Sequence, residues 1–293
     1  MAVKVSLNNP SVSIGMPVYN GDKFITYALD SLLAQEFTDF ELIISDNAST
    51  DATESICRNY AERDVRIKYI RQSQNEGAWK NFQFVLGAAK GEYFMWAACD
   101  DTWHESWINM LLKILIKTKK KAVFGKLIHI DEFSKPVSHP ATKNSFNFSG
   151  SIFKRKITFF LEYEGNGKAN LIHSLFRRED LKTNNLLTYS LDYYLLFDLL
   201  NVLEFISVSD VFLYKRIHSA SAAASKPKSV TLKLLYVLTL KTIINSYRNA
   251  KGYLKYSKGL EKLMLIVLIP IKILVDHIFY MKRVLIKLFN LSF

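Results

Sequence analysis

Three groups of polar side chains follow apolar runs in the first 101 residues, where buried strands would end. They are Val18-Tyr19-Asn20, Ser45-Asp46-Asn47 and Asp100-Asp101. In open parallel α/β sheets, ligands bind beyond the carboxyl ends of the strands. We therefore expect these groups, although distant in sequence, to converge at one edge of a sheet and to form a ligand site there.

The acidic pair Asp100 and Asp101 comes directly after residues 92–98, which are almost all apolar. Burying carboxylates is costly unless a positive group meets them. A divalent cation that bridges to a diphosphate has the right chemistry, since hard cations take oxygen ligands and offset phosphate charge. Asp101 also fits the N-terminal cap of a helix that begins near residue 105, and both interpretations stay open.

Asp46 follows the apolar run 40–44 in the same way. Its carboxylate would accept hydrogen bonds from the N–H of a base or from a ribose hydroxyl. The alternative is an Asx-turn that leads into the helix predicted to begin near Asp51.

The elements that position these residues alternate along the first 120 residues. Short apolar runs predict strands over 11–16 (ended by Pro17), 40–44, 65–70 and 92–98, and helical spacing predicts helices over 22–35, from 51 onward, over 78–89 and over 106–117. This order predicts an α/β fold with a doubly wound, mostly parallel sheet.

Composition excludes some classes of protein. Of 293 residues, 49% are hydrophobic and 23% charged, which excludes a disordered chain, and two cysteines exclude a disulfide scaffold. The first ten residues do not resemble a signal peptide, so we expect a reducing cytosol. Residues 226–293 hold 13 Lys or Arg and 2 Asp or Glu, whereas residues 1–225 hold 26 and 25, so the net charge of +12 lies in a basic tail.

Five segments together resemble the inverting family-2 glycosyltransferases. In chain order they are Ser13–Asn20, Asp30–Phe37, Phe40–Asp51, Asn75–Gly77 and Gly91–Asp101, and weaker similarity continues to about residue 221. The resemblance implies a glycosyltransferase A-type fold. It implies that the nucleotide is held by Pro17, Tyr19, Asp46, Arg71 and Asn75, that Asp100 faces the ribose and the sugar, and that Asp101 binds Mg²⁺ or Mn²⁺.

The resemblance also implies a catalytic base and a closing segment. Asp192 matches the family's base, although Leu191 stands where relatives carry Glu, and a helix-start carboxylate is the alternative. In Tyr214–Ser219, Arg216 would meet the diphosphate and His218 would complete the metal shell; a surface or core histidine is the alternative. Cys99 stands where many relatives carry a third carboxylate.

The basic tail is also apolar. On a helical projection Lys262, Lys272, Asp276, Arg283 and Lys287 fall within an arc of roughly 80°, and most of the remaining circumference is aliphatic or aromatic. A helix of this kind is typical of a membrane interface, and its uncharged run is too short to span a bilayer. Packing on the catalytic domain or in a dimer is the alternative, and nucleic acid is disfavoured because stacking aromatics are few.

We therefore expect a catalytic domain over 1–225, with a nucleotide-sugar half over 1–120 and an acceptor half over 121–225, and a helical membrane-associating tail over 226–293. The expected function is metal-dependent transfer from a nucleotide-diphosphate sugar to a membrane-held glycan or lipid-linked oligosaccharide of a surface polysaccharide, on the inner face of the cell membrane. Asp101→Asn should then abolish turnover and leave the fold intact. A homo-oligomer, a catalytically decayed scaffold and a nucleotidyltransferase stay open as alternatives.

Overall fold

The computed structural model describes residues 10–118, 121–181, 192–218 and 241–289. Leu191, and the tail residues 226–240 and 290–293, lie outside the described part of the chain.

The first half forms the predicted α/β sheet. Its strands are β1 (Val12–Val18), β2 (Phe40–Asp46), β3 (Ile67–Arg71) and β4 (Tyr93–Trp96), and its helices are α1 (Ile25–Leu33), α2 (Thr53–Arg63) and α3 (Ala78–Ala88). The strand order is β3-β2-β1-β4-β8, in which all neighbours are parallel except the short β8 (Phe176–Arg177), which runs antiparallel to β4. The mostly parallel, doubly wound sheet is therefore confirmed.

Pro17 does not end the first strand, contrary to the prediction. β1 continues through Pro17, which pairs with Ser45 of β2, whereas pairing with β4 stops at Gly15 opposite Trp96. Because β4 no longer accompanies β1 at this point, the missing N–H of proline removes no ladder bond on that side.

A second sheet carries the other side of the site. It comprises β5 (Thr102–Trp103), β6 (Lys121–Ile130), β7 (Asn147–Phe148) and β9 (Glu204–Arg216), with β9 pairing to all three others. The helices of this half are α4 (Trp107–Lys117), α5 (Ile152–Leu161), the 3₁₀ turns Glu164–Asn166 and Lys168–His173, α6 (Arg178–Leu181) and α7 (Asp192–Leu199). The antiparallel pairing of Thr102 with Tyr214 brings the end of β9 beside Asp100 and Asp101.

The core is aromatic where the two sheets meet. Trp96 is fully buried and packs edge-on against Phe94 and Phe176, and Trp107 packs edge-on against Phe124. These tryptophans therefore stabilise the core and do not form a stacking platform.

Two helices close the described chain: α8 (Lys241–Lys255) and α9 (Gly259–Phe289). The charged stripe predicted for α9 is turned toward the catalytic domain at Lys272 and Asp276, which are 0% and 1% exposed. Lys272 pairs with Glu164 of the preceding chain, whereas Asp276 pairs with Lys272 of the same helix. Much of the apolar surface of α9 faces outward instead.

Gly252 lets α8 approach α7 closely. A Cβ at this position would lie 1.8 Å from the Tyr194 hydroxyl oxygen. We expect Gly252→Ala to lower the free energy of unfolding by about 1–3 kcal/mol, because overpacking outweighs the gain in helix propensity. Thermal unfolding measures the effect.

The matched control for that substitution is Gly87→Ala in α3, where a Cβ would meet no atom within 4 Å. This variant should gain about 0.5–1 kcal/mol. Equal stability changes in the two variants would contradict the close packing of α8 on α7.

Candidate active site

The first two polar groups do converge at the carboxyl edge of the parallel sheet. The Asn20 backbone N–H donates to the Ser49 hydroxyl over 2.9 Å, and the Thr50 N–H donates to the Asn20 side-chain oxygen over 2.8 Å. Asn20 and Ala48 both have left-handed backbone conformations, with φ of 51° and 59°. These contacts fasten the loop after β1 to the loop after β2.

Asp46 lies at the centre of this edge and is fully buried. Its Oδ1 accepts from the Ser49 N–H at 2.8 Å, so the Asx-type turn is present. Its Oδ2 accepts from the Tyr69 hydroxyl at 2.7 Å and from Arg71 Nη1 at 3.3 Å. The carboxylate therefore brings Arg71 to the edge of the sheet, where Tyr19 is 47% exposed.

A cavity of about 310 Å³ opens beside this edge, between the end of β3 and helix α3. Asn47, Gln72 and Asn81 are among its lining residues. Asn47 donates to the Asn75 side-chain oxygen over 2.8 Å, which joins the predicted residue Asn75 to the cavity wall.

Sequence reasoning missed Gln72 and Asn81. Asn81 is 4% exposed, and its Oδ1 has no hydrogen-bond partner among the described residues. The available signal was a short side-chain amide, Asn81, in the mostly apolar helix α3.

Asp101 is occupied by protein groups rather than being open to a ligand. It is fully buried, its Oδ1 accepts from the Arg216 backbone N–H at 2.9 Å, and its Oδ2 accepts from Lys215 Nζ at 2.9 Å. Nor does it cap helix α4, whose N-cap is Ser106. Asp101 therefore ties the start of β5 to the end of β9.

Asp100 has the more open carboxylate of the pair, with 26% of its side chain exposed. Its Oδ2 lies 3.0 Å from His218 Nε2, and the His218 ring contacts the Phe24 ring at a centroid distance of 4.8 Å. The Asp100 carboxylate offers the oxygen ligands that Mg²⁺ and Mn²⁺ take, and the His218 nitrogen lies beside it. This geometry pairs His218 with Asp100, whereas the sequence analysis placed the metal on Asp101.

Arg216 is fully buried and holds the main chain. Its Nε donates to the Asp100 carbonyl over 2.9 Å, and its Nη1 donates to the Asp131 carbonyl over 3.0 Å. The guanidinium lies 5.0 Å from the centroids of the Phe24 and Tyr27 rings. These contacts position Asp100, and Nη2 is the guanidinium nitrogen without a partner among the described residues.

Lys215 is the third site residue that sequence reasoning missed. Burial lowers its pKa, but the charges of Asp101 and Asp100 outweigh that effect, so the pKa lies well above the ordinary value. The Asp192 carboxylate contributes in the same direction. Of the three carboxylates, Asp101 contacts the ammonium group directly, over 2.9 Å.

The shifts in the pKa values of the three aspartates follow from their burial and from the Lys215 charge. Burial raises the pKa of Asp192 above its usual range, and the Lys215 charge partly opposes that shift. Burial also raises the pKa of Asp101, whereas Lys215 and the hydrogen bond from His218 outweigh burial at Asp100 and hold its pKa low. Asp192 is the first residue of α7.

Comparison with known proteins identifies the family. Residues 13–183, more than half of the chain, match the profile of Glycosyl transferase family 2. The chain belongs to this family. The family, the fold type and the glycosyltransferase class that the sequence motifs predicted are therefore confirmed.

Its curated relatives are bacterial. An uncharacterized glycosyltransferase of Rickettsia typhi is 29% identical over 218 residues, which are 74% of this chain and 67% of the relative. Glycosyltransferase GlyG of Streptococcus pneumoniae is 28% identical over 121 residues, 41% of this chain and 40% of the relative.

Solved structures share the fold. S. aureus TarS 1-349 in complex with UDP-GlcNAc aligns with a TM-score of 0.58 at 20% identity, over 84% of this chain and 71% of that one. Mannosyltransferase PcManGT from Pyrobaculum calidifontis, in complex with GDP-Man and Mn²⁺, aligns with a TM-score of 0.58 at 17% identity, over 94% and 75%.

Proposed function

We propose that this glycosyltransferase inverts the anomeric centre while it transfers a sugar from a nucleotide-diphosphate sugar to an acceptor hydroxyl. The observation that carries the proposal is that Asp100 and Asp101 follow β4 of the parallel sheet and meet His218 and Lys215 at the end of β9. The nucleotide-sugar complexes of the two structural neighbours support the same class of donor.

The nucleoside would lie at the edge formed by Pro17, Tyr19, Asp46, Arg71 and Asn75. The carboxylate oxygens of Asp46 accept hydrogen bonds from Tyr69, Arg71 and Ser49, so Asp46 acts mainly by fixing the positions of these groups. Exposed Tyr19 and half-exposed Arg71 present the surface that a base and a ribose would meet.

Asp192 would act as the general base. Its carboxylate accepts the proton of the acceptor hydroxyl, whose oxygen forms the new bond to the anomeric carbon on the face opposite the leaving group. The bond between that carbon and the diphosphate oxygen breaks, and its electron pair leaves with the nucleoside diphosphate. A single carboxylate suffices for one in-line displacement.

Asp100 and His218 would hold the Mg²⁺ or Mn²⁺, in place of the predicted pair Asp101 and His218. When bound, the cation supplies positive charge to the departing diphosphate. Lys215 adds a positively charged ammonium group to the same region. Arg216 would act by positioning the Asp100 main chain, to which its Nε donates, and not by binding the diphosphate. The complex of the structural neighbour PcManGT with Mn²⁺ supports the proposal of a divalent cation.

We further propose that the acceptor is a glycan or a lipid-linked oligosaccharide of surface polysaccharide synthesis, held at the cytoplasmic face of the cell membrane. The support is the basic, apolar tail, which would bring the site close to such an acceptor. A second candidate, a decayed scaffold, rests on Cys99 standing where relatives carry a carboxylate.

Binding and hydrolysis of a panel of nucleotide sugars, with Mn²⁺ and with a chelator, test the proposed function. We expect one donor to bind and to be slowly hydrolysed, and chelation to suppress hydrolysis. Folded protein that binds none of the donors would contradict the proposal and favour the scaffold.

A further inference from the structure

The last helix, α9, has two unlike faces. The residues turned inward repeat at helical spacing and include Leu265, Lys272 and Asp276, all nearly or fully buried. The apolar residues turned outward are Leu260, Leu263, Val267, Ile271, Leu274 and Ile278. They recur every three or four positions, so they form one continuous stripe on the opposite side of the helix.

Buried charges hold the inward face on the catalytic domain. Lys272 Nζ donates to Glu164 Oε2 over 2.7 Å and to Asp276 Oδ1 over 2.6 Å. Glu164 also pairs with buried Lys168 at 3.3 Å. Nearer the start of α9, Glu261 pairs with Lys156 at 2.9 Å. Separating the helix from the domain would strand these charges, which is strongly unfavourable.

The outward face is unusually exposed for its composition. Leu260, Val267 and Leu274 are 78%, 68% and 58% exposed. The segment Gly259–Lys282 is long and apolar enough to cross a membrane, and only 17% of it is buried. A contiguous exposed apolar surface of this kind marks a binding partner rather than a solvent-facing helix.

Positive charge is concentrated in the part of the chain that ends in this helix. The exposed basic residues between 248 and 262 are Arg248, Lys251, Lys255, Lys258 and Lys262. Over residues 241–282 the acidic residues are Glu261 and Asp276, and both pair with lysines. An exposed apolar stripe in a segment with this excess of basic residues fits an anionic lipid surface, whereas a second copy of the chain would bring like charges together.

We propose that the outward face of α9 lies flat on an anionic lipid bilayer, with its apolar side chains inserted among the acyl chains and with the helix not crossing the membrane. The buried pairs of Lys272 keep the helix along the domain, and a spanning helix would carry these charges into hydrocarbon. The inference rests on the proposed function only in placing the acceptor at a membrane.

The test uses the full chain and vesicles of phosphatidylcholine, with and without about 30% phosphatidylglycerol. We expect binding to the anionic vesicles that weakens with salt, and a loss of affinity of about tenfold or more in the double variant Val267→Asp, Leu274→Asp. The matched control is Val65→Asp, Phe133→Asp, which alters side chains that are 74% and 81% exposed elsewhere and should bind as the wild type does.

Three results would overturn the inference. The first is equal vesicle binding by the wild type and the α9 variant. The second is a dimer that forms without lipid and that the α9 variant alone disrupts. The third is protein that alkaline carbonate does not extract from cell membranes, since this would indicate a spanning helix. Donor hydrolysis in solution is measured on the same samples. Its absence in a wild type that binds vesicles would contradict the proposed function and leave this inference standing.

Discussion

Asp192→Asn is expected to lower the turnover number of sugar transfer by about 10²–10⁴-fold, the contribution of a positioned general base. The amide cannot accept the proton of the acceptor hydroxyl. Donor binding and the unfolding temperature should stay close to those of the wild type, because α7 begins at this residue and the change preserves its shape. Transfer kinetics with separate donor titrations measure the effect.

The pH profile gives an independent check on this role. Because burial raises the pKa of Asp192, activity should fall as the pH drops through a value above the ordinary range for aspartate. Lys215→Met removes the cation that opposes this shift, so the acid limb should move to higher pH. An acid limb that Lys215→Met leaves in place, or full activity in Asp192→Asn, would contradict Asp192 as the base.

Asp100→Asn and Asp101→Asn should fail in different ways. Asp100→Asn is expected to lower metal-stimulated turnover by about 10²-fold or more, because one of the two proposed cation ligands becomes neutral. Its stability should change little, since the Asp100 side chain is partly exposed. Metal titrations monitored by donor binding separate this loss from a loss of folding.

Asp101→Asn should instead destabilise the fold by about 2–4 kcal/mol, since it removes the charge of the carboxylate that contacts the Lys215 ammonium. The figure lies below that of a fully buried pair, because 27% of the Lys215 side chain is exposed. The sequence alone predicted that this variant would be inactive and intact. Wild-type stability with lost metal binding in Asp101→Asn would restore that assignment.

The sheet was predictable because its signals are local. Buried parallel strands are short apolar runs, and polar residues mark their ends, so Asp46 and Asp100 could be placed at one edge without a structure. The predicted strand end at Pro17 was wrong for a non-local reason, because it depends on where the distant strand β4 stops pairing with β1.

The roles within the site were less predictable, because they depend on partners distant in sequence. Asp101 meets Lys215, 114 positions later, and Lys272 meets Glu164, 108 positions earlier. The first contact turns a predicted metal ligand into part of an internal ion pair. The second turns the charged stripe of α9 inward. Helical spacing predicted the stripe but carried no information about which side the domain would cover.

Tyr253 of α8 packs across the domain boundary that the charge distribution placed at residue 225. Its ring contacts the rings of Phe159, Phe160, Tyr193, Tyr194 and Phe197. Three of these belong to the helix that begins with Asp192. The tail thus packs directly on the helix that carries Asp192, and a chain shortened before α8 would lose this packing. Exchange of tails between relatives would have to exchange the matching surface of α7 as well.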